Sequence, residues 1–196
     1  MIETPPLLLL TFEHFVQKSL QLAQKIEAEH KDDPYDYIIS INRGGAVLSR
    51  ILSDYLDIKI GAFSISSYAS MTQQKVISIS QTLNMYLSGK KILLVDEICD
   101  TGNTFQTAQE HVEKLLPRAT KTATLFMKPH SFFVPDYVLE ETNDWVVFPY
   151  EIRETIKSLQ PFLEGNEALT QELQQYFIHV GADSTTVQTL MSKESL

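Results

Sequence analysis

The chain is poor in cysteine, in positive charge and in long apolar runs, and each shortage excludes a class of protein. Cys99 is the only cysteine, so no disulfide can form within the chain, which fits a reducing compartment. Wedged between Ile98 and Asp100, it is expected to be a small apolar filler, because an adjacent carboxylate discourages the thiolate. Lysine and arginine number 16 against 25 acids, a net charge of −9. With no obvious basic stripe or recognition helix, this argues against nonspecific nucleic-acid binding through a cationic face. Leu7 to Leu10, behind Pro5-Pro6, is too short to span a membrane and lacks a basic flank. No membrane partner is expected, and the location is expected to be cytoplasmic. His14, His30, His111, His130 and His179 show no metal-ligand spacing and are expected in solvated or cap-like roles, with only His130 near the region described next.

That region runs from Ile92 to Thr104. Four apolar residues behind Lys91 suit a strand covered on both faces, and Phe105, Ala108, Val112 and Leu115 recur at helical spacing. Between them lie Asp96, Glu97 and the small, hydroxyl-rich turn Asp100-Thr101-Gly102-Asn103-Thr104. The turn sits where a strand ends and a helix begins, so unpaired backbone N–H groups and the helix dipole favour an anion. Gly102 permits close approach or a positive φ, and the two threonines add hydroxyl donors. Two carboxylates would repel a bare polyphosphate, so they call for a ribose diol or a divalent cation shared with the ligand. Side chains alternate along a strand, so Asp96 and Glu97 converge only if the strand ends between them. An ordinary βα turn with a capping Asp or Thr is the plainer reading, and the double acid weighs against it.

The rest of the chain alternates strand and helix. Thr11 is the expected N-cap of a helix striped by Phe12, Phe15, Val16, Leu22, Ala23 and Ile26 and ended by Lys31 to Pro34. Tyr37 to Ile41 reads as a strand, Asn42-Arg43-Gly44-Gly45 as a loop, and Val47 to Leu56 as a helix. Ile60 to Ser66 and Val76 to Ser80 lean to strand around a polar, mobile excursion from Ser67 to Lys75. Further strands are expected at Lys91 to Asp96, Lys121 to Met127, Tyr137 to Glu140 and Trp145 to Phe148. The pattern is α/β, with a mainly parallel central sheet flanked by helices and ligands at the carboxyl ends of its strands. Beyond Tyr150 the character changes to polar helix, with Leu169, Leu173, Tyr176 and Phe177 as a partial stripe and Gly181 as a stop.

The segment from Ile92 to Thr104 resembles the phosphoribosyl pyrophosphate signature of type I phosphoribosyltransferases. The resemblance implies that family's fold, with a small hood region, over residues 1–151, and leaves 152–196 as a helical extension of unknown role. It implies that Asp96 and Glu97 hold the ribose hydroxyls and help place Mg2+, and that Asp100, Thr101, Gly102, Asn103 and Thr104 cradle the 5′-phosphate. Arg43 and Gly44 resemble the family's pyrophosphate loop, where a non-proline cis peptide is expected at Asn42-Arg43. Ser67-Tyr68 resembles the start of a flexible loop, about 67–75, that covers the site and keeps water from a cationic sugar-like transition state.

Segment 128–151 resembles the base-recognition elements of xanthine, hypoxanthine and guanine phosphoribosyltransferases. An ammonium at Lys128 suits the exocyclic oxygen of a 6-oxopurine, the Trp145 indole can stack on a purine, and backbone carbonyls near Val146 could accept from a 2-amino group. Pro149-Tyr150-Glu151 carries Tyr where the family pattern has Trp. By the same resemblance Asp100 exchanges a proton with N7 of the base. The implied activity is Mg2+-dependent transfer of ribose 5-phosphate from phosphoribosyl pyrophosphate to a 6-oxopurine (hypoxanthine, xanthine or guanine) in purine salvage, and the family suggests a homo-oligomer. The alternatives are a phosphoribosyl pyrophosphate sensor of the same fold, which would need a nucleic-acid surface, and a transferase for another base.

Overall fold

The structure, a computed structural model, describes residues 4–69 and 75–192, with the backbone alone at 67–69 and 75–77. The chain divides into two compact units, one of residues 1–16 and 143–196 and the other of residues 17–142. Sequence character predicts a boundary after residue 151; the compact units part earlier. The expected helical extension, 152–196, shares its unit with residues 1–16 and 143–151.

The larger unit is built on a sheet of β2 (Tyr37–Asn42), β3 (Lys59–Ala69), β4 (Lys75–Gln81), β5 (Lys91–Val95), β6 (Ile98–Cys99), β7 (Ala119–Met127) and β8 (Tyr137–Glu141). The order is β4-β3-β2-β5-β7-β6, with β8 on the other edge of β7. All pairs are parallel except β3 with β4. Crossovers run through α2 (Gly45–Leu56) and α3 (Asn103–Glu113). Ile92, Leu93, Leu94 and Val95 are fully buried, as a continuous apolar run in a parallel sheet requires. Phe105, Ala108 and Val112 of α3 close over this core together with Phe63, Ile39 and Ile41.

The ladder along β7 corrects one expectation. Regular pairing of β5 stops at Val95, one residue earlier than the break predicted between the two acids. It resumes at β6 in the same register, Val95 opposite Ala123 and Ile98 opposite Phe126. Asp96 N–H still donates to Ala123 O and Phe126 N–H to Glu97 O, both at 3.2 Å. The two acids therefore occupy an interruption in one strand line.

At the opposite ends of the strands lies a polar cluster. Lys91, 5% exposed, donates from Nζ to Asp33 Oδ2 and to His30 Nδ1, both at 2.9 Å, and stands 4.8 Å from the centre of the Tyr35 ring. His30, which closes α1 (Phe12–His30), also hydrogen-bonds to the Tyr137 hydroxyl through Nε2. Burial, and next the Lys91 charge, lower its proton affinity. His111 packs on Phe63, with ring centroids 5.2 Å apart. Both histidines stand in the last turn of a helix, the cap-like placement that was one of the two expected, and each also packs against neighbouring side chains.

The smaller unit joins β1 (Leu7–Leu9) in parallel to β9 (Trp145–Val147), and adds α4 (Ile152–Leu163), α5 (Glu167–His179) and α6 (Ser184–Met191). Its core gathers Val147, Ile156, Leu159, Leu173, Phe177 and Val187, with Leu7 and Leu9 against it. The Tyr176 hydroxyl donates to the Leu10 carbonyl at 2.7 Å, with the Val147 carbonyl 3.1 Å away. Tyr150 stacks on Phe148 and meets Phe15 edge-on, so the aromatic at that position belongs to a packed trio.

Candidate active site

Two loops open at the carboxyl ends of β2 and β5, and glycine brings them together. A methyl group on Gly44 would overlap the Glu97 carboxylate, and one on Gly45 would strike the Val95 carbonyl and the Cα of Asp96. Gly45 N–H donates to the Asp96 carboxylate, and so does Glu97 N–H, at 3.1 Å. The side chains of Asp96 and Glu97, 9% and 6% exposed, also hydrogen-bond to each other. Burial pushes the Asp96 carboxyl up, against the opposing pull of its hydrogen bonds with Glu97. The peptide Asn42-Arg43 is cis, as expected, and Arg43 is exposed beside it.

Both helices that follow these loops begin without a side-chain cap. For α2 the N-cap is Gly44, and for α3 it is Gly102, whose φ of 98° is natural only to glycine. Their first-turn N–H groups therefore face the loops. Thr101 Oγ1 accepts from Asn103 Nδ2 at 3.0 Å, which folds the turn on itself. The arrangement is two anion-accepting helix starts with a buried acid pair between their strands.

A third segment is pinned to the second loop. Lys128 N–H donates to Cys99 O at 2.9 Å and Phe132 N–H to Thr101 O at 3.2 Å. Phe133 stacks on Phe105, centroids 5.6 Å apart, and its Cβ lies 2.5 Å from where a Gly102 Cβ would stand. Lys128 itself is 9% exposed. Cys99 lies under this segment with its sulfur 3.3 Å from Ser131 Oγ, and burial raises its thiol pKa, which suits the expected filler role.

The structure therefore brings together Arg43, Gly44, Asp96, Glu97, Asp100 to Thr104 and the backbone of Lys128. Ser67 and Tyr68 lie on β3, opposite Ile77 and Val76, so the strand continues past the point where the loop is expected to begin. Residues 70–74 of that expected loop lie outside the described residues. Trp145, 40% exposed, and Val146, 7% exposed, belong to the smaller unit, where they pair with Leu7 and Leu8. His130, the one histidine expected near the site but given no role in it, places Nε2 3.1 Å from Asp100 Oδ1. Only its nearness to Lys128-Pro129 hinted at a place in the site.

Comparison with known proteins bears directly on this geometry. The phosphoribosyl transferase domain family matches residues 9–155, well over half of the chain. The chain belongs to the phosphoribosyl transferase domain family. Among relatives, the xanthine-guanine phosphoribosyltransferase of Idiomarina loihiensis is 32% identical over 139 residues, covering 69% of this chain and 81% of that protein. Of solved structures, a purine phosphoribosyltransferase from Pyrococcus horikoshii is 31% identical with a TM-score of 0.66, covering 74% of this chain and 93% of the other. The Helicobacter pylori xanthine-guanine-hypoxanthine phosphoribosyltransferase is 27% identical with a TM-score of 0.63, covering 76% and 96%. The matched region of this phosphoribosyl transferase domain spans both loops, the acid pair and β9, and stops early in α4. Among the described residues no helix is long and apolar enough to cross a membrane.

Proposed function

We propose that this phosphoribosyltransferase moves ribose 5-phosphate from phosphoribosyl pyrophosphate to N9 of a 6-oxopurine, releasing pyrophosphate, as a step of purine salvage. The observation that carries the reading is the pair of loops locked through glycine. A buried acid pair stands between two uncapped helix starts, which is what a ligand with a sugar diol flanked by two phosphate groups demands. The three relatives named above are purine enzymes by their names, which supports a purine as acceptor.

Asp96 and Glu97 fit a divalent cation. Mg2+ takes one or two protein carboxylates and completes its shell with water and ligand phosphate oxygens, and no group of three or more His, Cys, Asp or Glu stands ready among the described residues to hold a metal alone. Bound there, Mg2+ would neutralise charge on the departing pyrophosphate.

The chain's own residues do the rest. Arg43 and the first-turn amides of α2 stabilise the leaving pyrophosphate, while those of α3, with Thr101 and Thr104, hold the 5′-phosphate. Asp100 takes the N7 proton so that the N9 lone pair can attack the anomeric carbon as its bond to pyrophosphate breaks. Lys128 donates to the exocyclic oxygen, a match for a 6-oxopurine and a mismatch for adenine. Trp145, Val146, Ser67 and Tyr68 carry their expected roles through the family resemblance alone.

The test is product formation from phosphoribosyl pyrophosphate, Mg2+ and a panel of bases, resolved by chromatography. Nucleotides from hypoxanthine, xanthine or guanine are expected. A pyrimidine nucleotide alone would overturn the purine assignment, and no product from any base would overturn the enzyme.

A further inference from the structure

We infer that His130 is a positioning residue for Asp100, an inference that rests on the proposed transfer reaction. Three successive contacts tie the two segments together. Cys99 pairs with Lys128 through a backbone hydrogen bond of 2.9 Å, Thr101 pairs with Phe132 through one of 3.2 Å, and between them the His130 ring meets the Asp100 carboxylate at 3.1 Å. The backbone pairs on either side fix where both side chains start, so only the side-chain torsions remain to be ordered in joining them. The stacking of Phe133 on Phe105, and its seat against Gly102, hold the same register from the far side.

The chemistry sets the direction of the bond. An ionised carboxylate only accepts, so the ring nitrogen Nε2 carries the proton and donates to Oδ1. Oδ2 has no hydrogen bond to any described residue and is the oxygen left to receive a proton from the base. Both side chains are well exposed, 61% and 65%, where an ion pair adds little to stability. The contact is therefore better suited to orientation than to holding the fold. It also links the proton acceptor to the segment that carries Lys128, so that one element aligns the group meeting the exocyclic oxygen with the group meeting N7.

The experiment uses the full chain in steady state with phosphoribosyl pyrophosphate, Mg2+ and whichever base the wild type accepts. His130→Ala should lower kcat by about 10- to 100-fold, the cost of a misplaced reacting group. The KM for phosphoribosyl pyrophosphate should move by less than about twofold, since the phosphate contacts are untouched. His130→Gln, whose amide nitrogen reaches about as far as Nε2, should recover most of the loss. In an Asp100→Asn background His130→Ala should add nothing, because the two act as one unit. An unchanged kcat in His130→Ala, no rescue by Gln, or a full additive loss in the Asn background would each overturn the positioning role while leaving the transfer reaction standing. A wild type that turns over no base would overturn the reaction and this role with it.

Discussion

At single residues, Gly44 and Gly45 show how one atom can decide a site. In open space, alanine in a helix is favoured over glycine by about 1 kcal/mol. At Gly45 the added methyl meets backbone at the end of β5, which cannot swing aside, and overpacking of that kind costs about 1 to 3 kcal/mol. Gly45→Ala should therefore lower stability in urea denaturation, and a variant more stable than wild type would contradict the close approach. At Gly44 the obstacle is the Glu97 side chain, which can rotate. Gly44→Ala should fold nearly as well as wild type yet lose turnover as Glu97 is displaced. Asp100→Asn keeps shape and hydrogen-bonding reach but cannot accept the proton. It should bind phosphoribosyl pyrophosphate normally by calorimetry and lose about 100- to 10,000-fold in turnover.

The ends of elements are held by charge. Asp33, just past α1, accepts from Arg118 ahead of β7 at 3.0 Å and from Lys91 at the start of β5 at 2.9 Å. Those bonds, Arg118 first, draw its carboxyl down to about 2. A carboxyl depressed below its unfolded value of about 3.9 contributes stability that is complete above that pH and is lost as pH falls through about 2. The wild type should therefore lose stability more steeply than Asp33→Asn between about pH 4 and pH 2, followed by circular dichroism in urea. Parallel curves would show that the cluster contributes nothing through Asp33.

For the whole molecule, the division into units depends on a pairing between distant segments. Leu7 lies opposite Trp145, and Leu10 N–H and the Leu10 carbonyl are taken by Val147 O and the Tyr176 hydroxyl. Removing residues 1–10 would strip the smaller unit of one of its two strands and of the apolar cover from Leu7 and Leu9. The melting temperature should fall by about 5 to 10 °C in calorimetry, a loss of a few kcal/mol for a chain of this length. An unchanged melting curve would mean the strand adds no stability.

Local patterning by itself determined the α/β alternation, the signature loop and the two glycine-bearing turns, because strand and helix periods and the demands of an anion are written over a few adjacent residues. It also placed Thr11 at the start of α1, where its hydroxyl accepts from His14 N–H at 3.2 Å. What only the tertiary structure decided are the contacts between residues far apart in the chain: β1 against β9, His30 beside Lys91, and His130 on Asp100. An isolated histidine or a short apolar run has the same local pattern whether it ends in solvent or against a partner. Which of the two happens is set by strand order and loop closure, and those exist only once the sheet has formed.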